Sequence, residues 1–207
     1  MILIAHRGLH NKDIGENTIS AFDNAFKNKY KGIELDIRKT KDNEIVVIHD
    51  SFISRVSDGK GLVKNKTYDE LIKYNFGKST IERIPILNDV INRYTGKIMF
   101  IELKEKISLE ELNLNDRNTY YILSFNYDYI KDIPKSNKYK RGIINNILNT
   151  NINLDNIDFI MILDLLLIDS VYEFYNDKGI EVTAYGKLGV TNLKIKEKYK
   201  KNMKYVT

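Results

Sequence analysis

Short apolar segments recur along the chain, and the gap between most of them is long enough for a helix. We predict strands at residues 2–5, 33–37, 45–48, 98–103, 120–125, 141–144, 159–163, 180–184 and 205–207. Strands that alternate with helices favour a parallel sheet covered by helices. No repeat, linker or low-complexity segment divides the sequence, so we expect residues 1–207 to form a single domain.

The gap between residues 37 and 45 is the exception to this pattern. It is too short for a parallel crossover, which needs about a dozen residues, but it suits a hairpin. If residues 45–48 form an antiparallel addition, eight parallel strands remain, as in a compact TIM-type (β/α)8 barrel of the α/β class. In a barrel of 207 residues, some helices must be short or missing. An open doubly wound sheet is the alternative.

Local signals mark where several helices begin. The segment "NTISAFDNAF" (residues 17–26) places apolar side chains on one helix face behind a cap at Thr18 or Asn17. A Thr or Ser followed three residues later by Glu has the spacing of a capping box, and this occurs at residues 67/70 and 108/111.

The composition and the apolar segments indicate where in the cell the protein is expected to be. The sequence contains no cysteine, so disulfides and thiolate metal sites are excluded. The first residues, "MILIAHRG", lack the basic segment and the long apolar run of a signal peptide. The longest apolar run, residues 159–168, is too short to span a bilayer and is interrupted by Asp164. We therefore expect a cytoplasmic protein with no integral membrane segment.

The net charge of +5 is compatible with a phosphate-bearing partner. Lys, Asn and Ile are used heavily throughout, however, and the basic residues of "KIKEKYKKNMK" (residues 194–204) are spaced as on a solvated helix face. Because no groove-reading motif accompanies the charge, no nucleic-acid partner is expected.

Two carboxylates interrupt the apolar strand at residues 33–37. Strand alternation puts Glu34 and Asp36 on one face and the apolar side chains on the other. If the following turn centres on residues 42–43, Asp36 lies opposite His49 across the hairpin. A shift of one residue in the turn would break this pairing.

The strand in "MFIELKEK" repeats this unusual pattern, since Glu102 and Lys104 share one face. Unpaired charges are costly to bury, so such groups usually pair with each other or bind a metal. Carboxylate oxygens are ligands for Mg²⁺ or Ca²⁺, and Glu34, Asp36 and Glu102 together could supply three of them. The alternative is that the three carboxylates only form salt bridges with Lys104 and arginines.

His6 and Arg7 follow the first strand in "IAHRG", and Gly8 permits a turn there. The C-terminal ends of parallel barrel strands line the active face. A histidine can exchange protons near neutral pH, and an arginine can bind phosphate oxygens with two parallel donors. His10 lies in a loop-like segment and is interpreted as exposed and uninvolved.

These motifs carry a family resemblance. "AHRG", "ENTISAF", "GIELDIRKTKDNEIVVIHD", "IPILNDVI" and "IELK" occur in this order within residues 4–104, and the set resembles the glycerophosphodiester phosphodiesterase family. The similarity continues more weakly through "ILSF" and the final "KYVT". The resemblance implies a TIM-type barrel with a short hairpin after the second strand, and metal-dependent hydrolysis of a phosphodiester.

The resemblance also implies roles for particular residues. The acid/base pair would be His6 and His49, and the carboxylates for one divalent cation, Mg²⁺ or Ca²⁺, would be Glu34, Asp36 and Glu102. The cationic side chains that bind the phosphate would be Arg7 and Lys104. Glu16 of "ENT" is expected to hold Arg7, and Asp50 to act indirectly.

The expected substrate is a small-molecule glycerophosphodiester, hydrolysed to glycerol 3-phosphate and an alcohol. The attacking group is either water or the glycerol hydroxyl, which would give a cyclic phosphate. The same site would also suit a lysophospholipase D-like or cyclic-phosphate-forming enzyme. A catalytically silent protein that binds phosphodiesters is the alternative from a different functional class.

The sequence departs from the family pattern in two places. "VTAYGKLG" (residues 182–189) replaces a "WTVN"-like segment, with Tyr185 as the candidate for its aromatic residue. The sequence also ends at Thr207, where the family continues through a final helix, so that helix is expected to be missing or trimmed. Barrel closure would then be looser or completed by a partner subunit, which leaves room for a homo-oligomer.

Overall fold

The computed structural model describes residues 1–146, 153–186, 193–201 and 203–207. The strands found in these residues are β1 (Ile2–Ala5), β2 (Gly32–Lys39), β3 (Ile45–Val47), β4 (Ile98–Leu103), β5 (Thr119–Ser124), β6 (Tyr139–Asn145), β7 (Phe159–Leu163), β8 (Glu181–Tyr185) and β9 (Lys204–Val206). The helices are α1 (Ile19–Lys27), α2 (Tyr68–Leu71), α3 (Leu87–Arg93), α4 (Leu109–Leu112), α5 (Asp169–Asn176) and α6 (Glu197–Lys200).

All strands except β3 are parallel and form a closed barrel. The sheet order is β1-β9-β8-β7-β6-β5-β4-β2-β3, and β1 also pairs with β2. Closure occurs within the chain, because Ile2 pairs with Lys204 of β9 while Ile4 pairs with Gly32 of β2. The predicted TIM-type barrel is therefore confirmed, and the open-sheet alternative is wrong.

The crossovers between strands are short, as expected from the chain length. Helix α4 is a single turn that begins at a capping box formed by Ser108 and Glu111. The connection between β5 and β6 contains one 3-10 turn, Tyr127–Tyr129, and no α-helix. Helix α1 is capped by Thr18, whose side chain accepts from the amide of Ala21. Local capping lets these short segments form helices despite the cost of starting one.

The β2–β3 hairpin has a register one residue away from the predicted one. Ile37 pairs with Val47 and Lys39 with Ile45. Asp36 consequently lies opposite Ile48, whose amide donates to the Asp36 carbonyl at 2.8 Å. The prediction that Asp36 and His49 face each other across the ladder is wrong.

The turn explains this difference. Three residues, 41–43, connect the Thr40–Glu44 pair, and Asn43 has a left-handed φ of 65°. A three-residue loop that ends in a left-handed residue is a common hairpin connection, and it differs from the assumed turn by one position. The Thr40 hydroxyl reinforces it by accepting from the Glu44 amide at 2.9 Å.

The lower part of the barrel interior is filled by side chains. Phe100 stacks on Tyr121 with 4.4 Å between ring centroids, and Phe159 packs edge-on against both rings. Phe159 also occupies the space beside Gly142, where an added Cβ would lie 2.4 Å from its ring. Below these rings Glu181 accepts from Lys204 and Tyr121. These side chains fill the end of the barrel at which the strands begin.

The outward strand faces form a second core under the helices. Ile33, Leu35 and Ile37 are completely buried and cluster with Phe22 of α1 and Val90 of α3. The alternation predicted for residues 33–37 is confirmed, because the apolar side chains face outward. Glu34 and Asp36 consequently face into the barrel. Within the described residues, no helix is long and apolar enough to cross a membrane.

The buried Arg141–Asp158 ion pair on the outer face gives a stability prediction. Arg141 is 2 % exposed and donates to both carboxylate oxygens of Asp158 at 2.9 and 3.0 Å. Asp158→Ala leaves a buried charge unpaired, so we expect a loss of about 3–5 kcal/mol. The control, Asp132→Ala, breaks the exposed pair with Lys106 and should cost less than about 1 kcal/mol. Urea unfolding measures both, and equal losses would contradict this account.

Candidate active site

The end of β1 turns sharply toward the centre of the barrel. Arg7 and Gly8 have left-handed φ angles of 53° and 76°. A Cβ on Gly8 would lie 2.7 Å from Ala21 of α1, so only glycine fits this close approach. The turn directs the Arg7 amide toward β2, where it donates to Oε2 of Glu34 at 3.0 Å.

Three carboxylates meet at this end of the barrel. Asp36 of β2 pairs in register with Glu102 of β4, and Glu34 lies two residues earlier on the same face as Asp36. All three residues are buried, and one oxygen from each lies within 4.8 Å of the others. The pattern of alternating carboxylates in the two strands therefore produces a single acidic cluster.

Asp36 is the most connected member of this cluster. Lys104 Nζ lies 3.0 Å from its Oδ1, and Arg7 Nε lies 3.2 Å from its Oδ2. Lys104 also reaches Oε1 of Glu102 at 2.5 Å. Among the described residues, Asp36 Oδ1 has no aligned hydrogen-bond donor. The predicted salt bridges are thus present, and one buried carboxylate oxygen still has capacity for a ligand.

Sequence reasoning missed Asn17 as a site residue. Its Nδ2 donates to Oδ2 of Asp36 at 2.9 Å, and the side chain is buried. The sequence suggested only a helix cap at this position, and Thr18 has that role. The one signal in the sequence was the residue type, because Asn is among the residues that tolerate a left-handed backbone such as the φ of 55° found at Asn17.

The charges of the cluster are unbalanced. Burial, reinforced by Asp36 and Glu102, raises the pKa of Glu34 well above its usual range. Burial and Asp36 raise the pKa of Glu102 to about 7. Burial opposes ionisation of Asp36 as well, but Lys104 and Arg7 outweigh it and lower the pKa of that carboxyl. Three carboxylates beside two cations would therefore accept a divalent cation, which suits their hard oxygen atoms.

His6 lies beside the acidic cluster. Its Nε2 is 3.9 Å from Oε2 of Glu34, and 46 % of its side chain is exposed. Partial burial and the neighbouring charge of Arg7 lower the pKa of His6 to about 4. The imidazole is therefore neutral at pH 7.

His49 is held by its chain neighbour. Its Nδ1 lies 2.7 Å from Oδ1 of Asp50. The hydrogen bond from Arg55 to Asp50 lowers the pKa of that carboxyl, so Asp50 is ionised at neutral pH and can only accept. The proton of neutral His49 must then sit on Nδ1, which leaves a lone pair on Nε2. Although the hairpin register differs from the prediction, His49 lies close enough to Asp36 that its protonated form lowers the pKa of that carboxyl.

Glu16 contacts Arg7, as the resemblance implied. Arg7 donates from Nη1 to Glu16 Oε1 at 2.9 Å. Burial opposes ionisation of Glu16, but hydrogen bonds and charges from Arg55 and Arg7 lower its pKa to about 2. Glu16 is thus a fixed negative charge that holds Nη1 of Arg7, while Nε of the same guanidinium faces Asp36.

A cavity of about 710 Å³ opens beside His6 and Arg7. Leu163, Tyr185 and Val206 form its apolar wall, and His10 also lines it. His10 is half-buried, which corrects the expectation that it is an exposed loop residue. Tyr185 lies where an aromatic wall residue was expected, whereas residues 187–189 of the same segment lie outside the described residues.

The left-handed backbone of Asn17 gives a second stability prediction. Asn17→Gly removes the hydrogen bond to the charged Asp36 and should cost about 1.5–3 kcal/mol. Asn17→Ala should cost about 1 kcal/mol more, because alanine disfavours a positive φ. Asn156 has a φ of 59° in an exposed turn. Comparing Asn156→Gly with Asn156→Ala therefore serves as the control, because it measures the cost of alanine at a positive φ without the contact to Asp36. Urea unfolding should give the stability order wild type, Asn17→Gly, Asn17→Ala, and a more stable Asn17→Ala would refute this interpretation.

Comparison with known proteins identifies the family. A model of the glycerophosphoryl diester phosphodiesterase family matches residues 6–144, a span that contains all of the site residues predicted above. The chain is 36 % identical over 153 residues to a glycerophosphodiester phosphodiesterase of Caldanaerobacter subterraneus. That alignment covers 65 % of this chain and 62 % of the relative. It is 40 % identical over 113 residues to one of Bacillus altitudinis, covering 51 % of this chain and 46 % of the relative. The chain thus spans about half to two thirds of the length of these relatives.

Solved structures support the fold. A phosphodiesterase of Oleispira antarctica, in complex with sn-glycerol-3-phosphate, superposes with a TM-score of 0.83 at 22 % identity, covering 100 % of this chain and 92 % of that one. A glycerophosphodiester phosphodiesterase of Thermotoga maritima gives 0.74 at 21 % identity, with 100 % and 94 % covered. The family match over two thirds of the sequence and the shared barrel agree, and the chain belongs to the glycerophosphoryl diester phosphodiesterase family.

Proposed function

We propose that residues 1–207 act as one barrel domain that hydrolyses small glycerophosphodiesters to glycerol 3-phosphate and an alcohol, using one divalent cation, Mg²⁺ or Ca²⁺. The observation that carries this proposal is the buried cluster of three carboxylates within 4.8 Å of one another at the open end of the barrel. Two histidines and two cationic side chains surround it, and family membership supplies the substrate class.

Glu34, Asp36 and Glu102 are the proposed ligands of the cation. When bound there, a divalent cation would stabilise the negative charge that grows on the phosphoryl oxygens. Arg7 and Lys104 lie at the edge of the same cluster. Both would donate to the remaining phosphoryl oxygens, and charge-assisted hydrogen bonds to an anion are the strongest that such side chains make.

The two histidines are proposed to move protons on opposite sides of the phosphate. His49 would accept the proton of the attacking hydroxyl at Nε2, because Asp50 holds the other proton on Nδ1 and would stabilise the imidazolium formed. His6 would protonate the leaving alkoxide. Its pKa is low in the free protein, and the negative charge of a bound phosphodiester beside it would raise that pKa. The attacking hydroxyl is that of water or of the substrate glycerol, and His49 would serve both routes.

The cavity beside His6 is proposed to hold the organic group on one side of the phosphate. Its volume of about 710 Å³ and its wall of Leu163, Tyr185 and Val206 leave room for a group larger and less polar than glycerol. This observation makes lysophospholipids a second candidate substrate class. The cluster of proton-transfer and cationic groups speaks against a catalytically silent binding protein.

Replacement of either histidine tests the proposed reaction. We expect His6→Ala and His49→Ala each to lower kcat at least about 100-fold, because general acid–base catalysis contributes roughly that much or more. Phosphorus NMR of a substrate panel with Mg²⁺ or Ca²⁺ measures the products and also reveals a cyclic phosphate. Asp132→Ala, in an exposed ion pair away from the site, is the control. If the wild-type protein with either cation cleaves no member of the panel, the proposed function fails.

Cation binding should depend on pH. Glu34 and Glu102 have raised pKa values, so near pH 7 the metal-free protein retains protons that a cation must displace. Affinity for Mg²⁺ or Ca²⁺ should therefore rise as pH increases from 6 to 8, and binding should release protons. Calorimetry in buffers of different ionisation enthalpy measures both quantities. Glu102→Gln removes one of the titrating groups and should flatten the pH dependence, and an affinity independent of pH in the wild type would refute the prediction.

A further inference from the structure

Arg55 connects the two loops that flank the candidate site. It lies in a 3-10 turn, Ile53–Arg55, in the segment that follows β3. Its Nε donates to Asp50 Oδ2 at 2.5 Å, and its Nη2 lies 3.2 Å from Asp50 Oδ1. On the other side, Nη1 and Nη2 donate to the two oxygens of Glu16 at 2.9 and 2.7 Å. One guanidinium thus binds two carboxylates, each through both of its oxygens.

Each of these carboxylates also contacts a group of the site. Asp50 Oδ1 accepts from His49 Nδ1 at 2.7 Å, and Glu16 Oε1 accepts from Arg7 Nη1 at 2.9 Å. Arg7 in turn contacts Asp36 at 3.2 Å. A continuous series of ion pairs therefore runs from His49, through the guanidinium of Arg55, to the acidic cluster.

The geometry explains what the guanidinium contributes. A carboxylate held at both oxygens cannot rotate, so Asp50 keeps an oxygen directed at His49 and Glu16 keeps one directed at Arg7. A lysine carries the same charge, but a single ammonium cannot reproduce four donors in one plane. Without the guanidinium, Asp50 would keep only its hydrogen bond to the partly buried imidazole of His49, and Glu16 only its bond to Arg7.

We propose that Arg55 is a positioning residue that fixes the Nδ1–H form of His49 through Asp50 and the orientation of Arg7 through Glu16. Its effect on turnover rests on the proposed function, whereas its effect on His49 does not. Arg55 itself touches no proposed metal ligand, and it acts only through the two acids.

A matched pair of variants tests this proposal. Arg93 forms an equally exposed two-oxygen ion pair with Asp23 between α3 and α1, at 3.2 and 2.7 Å, and the side-chain exposures of Arg55 and Arg93 are 48 % and 49 %. Arg55→Met therefore removes two such pairs beside the site, and Arg93→Met removes one outside it. We expect Arg55→Met to lower kcat about 10–100-fold with a smaller change in KM, and Arg93→Met to change kcat less than about twofold. Arg55→Lys should remain at least about fivefold impaired, because charge alone does not replace the guanidinium geometry.

Ring nitrogen NMR supplies a readout that needs no substrate. The sequence contains three histidines, so the ring signals of His49 can be assigned by replacing the other two. In the wild type and Arg93→Met, neutral His49 should be in the Nδ1–H form. In Arg55→Met and Arg55→Lys its signals should move toward a mixture with the Nε2–H form, while those of His6 and His10 stay in place.

The outcomes separate this proposal from the proposed function. A shift of the His49 signals in both Arg55 variants, with no substrate cleaved by the wild type, would support the positioning role and refute the reaction. An unchanged His49 tautomer in Arg55→Met or Arg55→Lys would overturn the positioning role, whether or not kcat falls. Equal kcat losses in Arg55→Met and Arg93→Met would overturn it as well. Urea unfolding of each variant confirms that the compared proteins are folded.

Discussion

The buried carboxylate of Asp36 is the interaction on which the candidate site depends. It is completely buried, and Lys104 and Arg7, both within 3.2 Å, contribute most to keeping it ionised. These contacts require β1, β2 and β4 to end at the same level. The parallel register provides that alignment, because it places Asp36 directly beside Glu102. The same arrangement leaves the carboxylates of Glu34 and Glu102 without enough positive charge nearby to balance them. Burying such groups costs stability, so their presence is better explained by a function than by folding.

The interior of the barrel below these charged groups is filled with side chains. Stacked aromatic rings fill the middle layer, and Glu181 with its cationic partners closes the opposite end. The short crossovers permit this in a small chain, because a single capped turn such as α4 is enough to reverse direction between neighbouring strands.

The sequence was sufficient to predict the barrel, the hairpin and the carboxylate face of β2, since each follows from alternation and segment spacing. It misplaced His49, because the hairpin register depends on the left-handed backbone of Asn43, which no apolar pattern reveals. It also missed Asn17 and Arg55. Both lie in loops and act on residues that are distant in sequence, so only the folded chain brings them together. The catalytic roles of His6 and His49 stay predictions.

The two parts of the candidate site come from different halves of the chain. The carboxylates, the histidines of the proposed proton transfers and their supporting ion pairs all lie within residues 6–104. The apolar cavity wall of Leu163, Tyr185 and Val206 comes from the last three strands. Under the proposed function, substitutions in the later strands would therefore change the wall that contacts the alcohol without touching the groups proposed to cleave the bond. Substrate preference and bond cleavage would then be carried by separate parts of the sequence, so one could change while the other is kept.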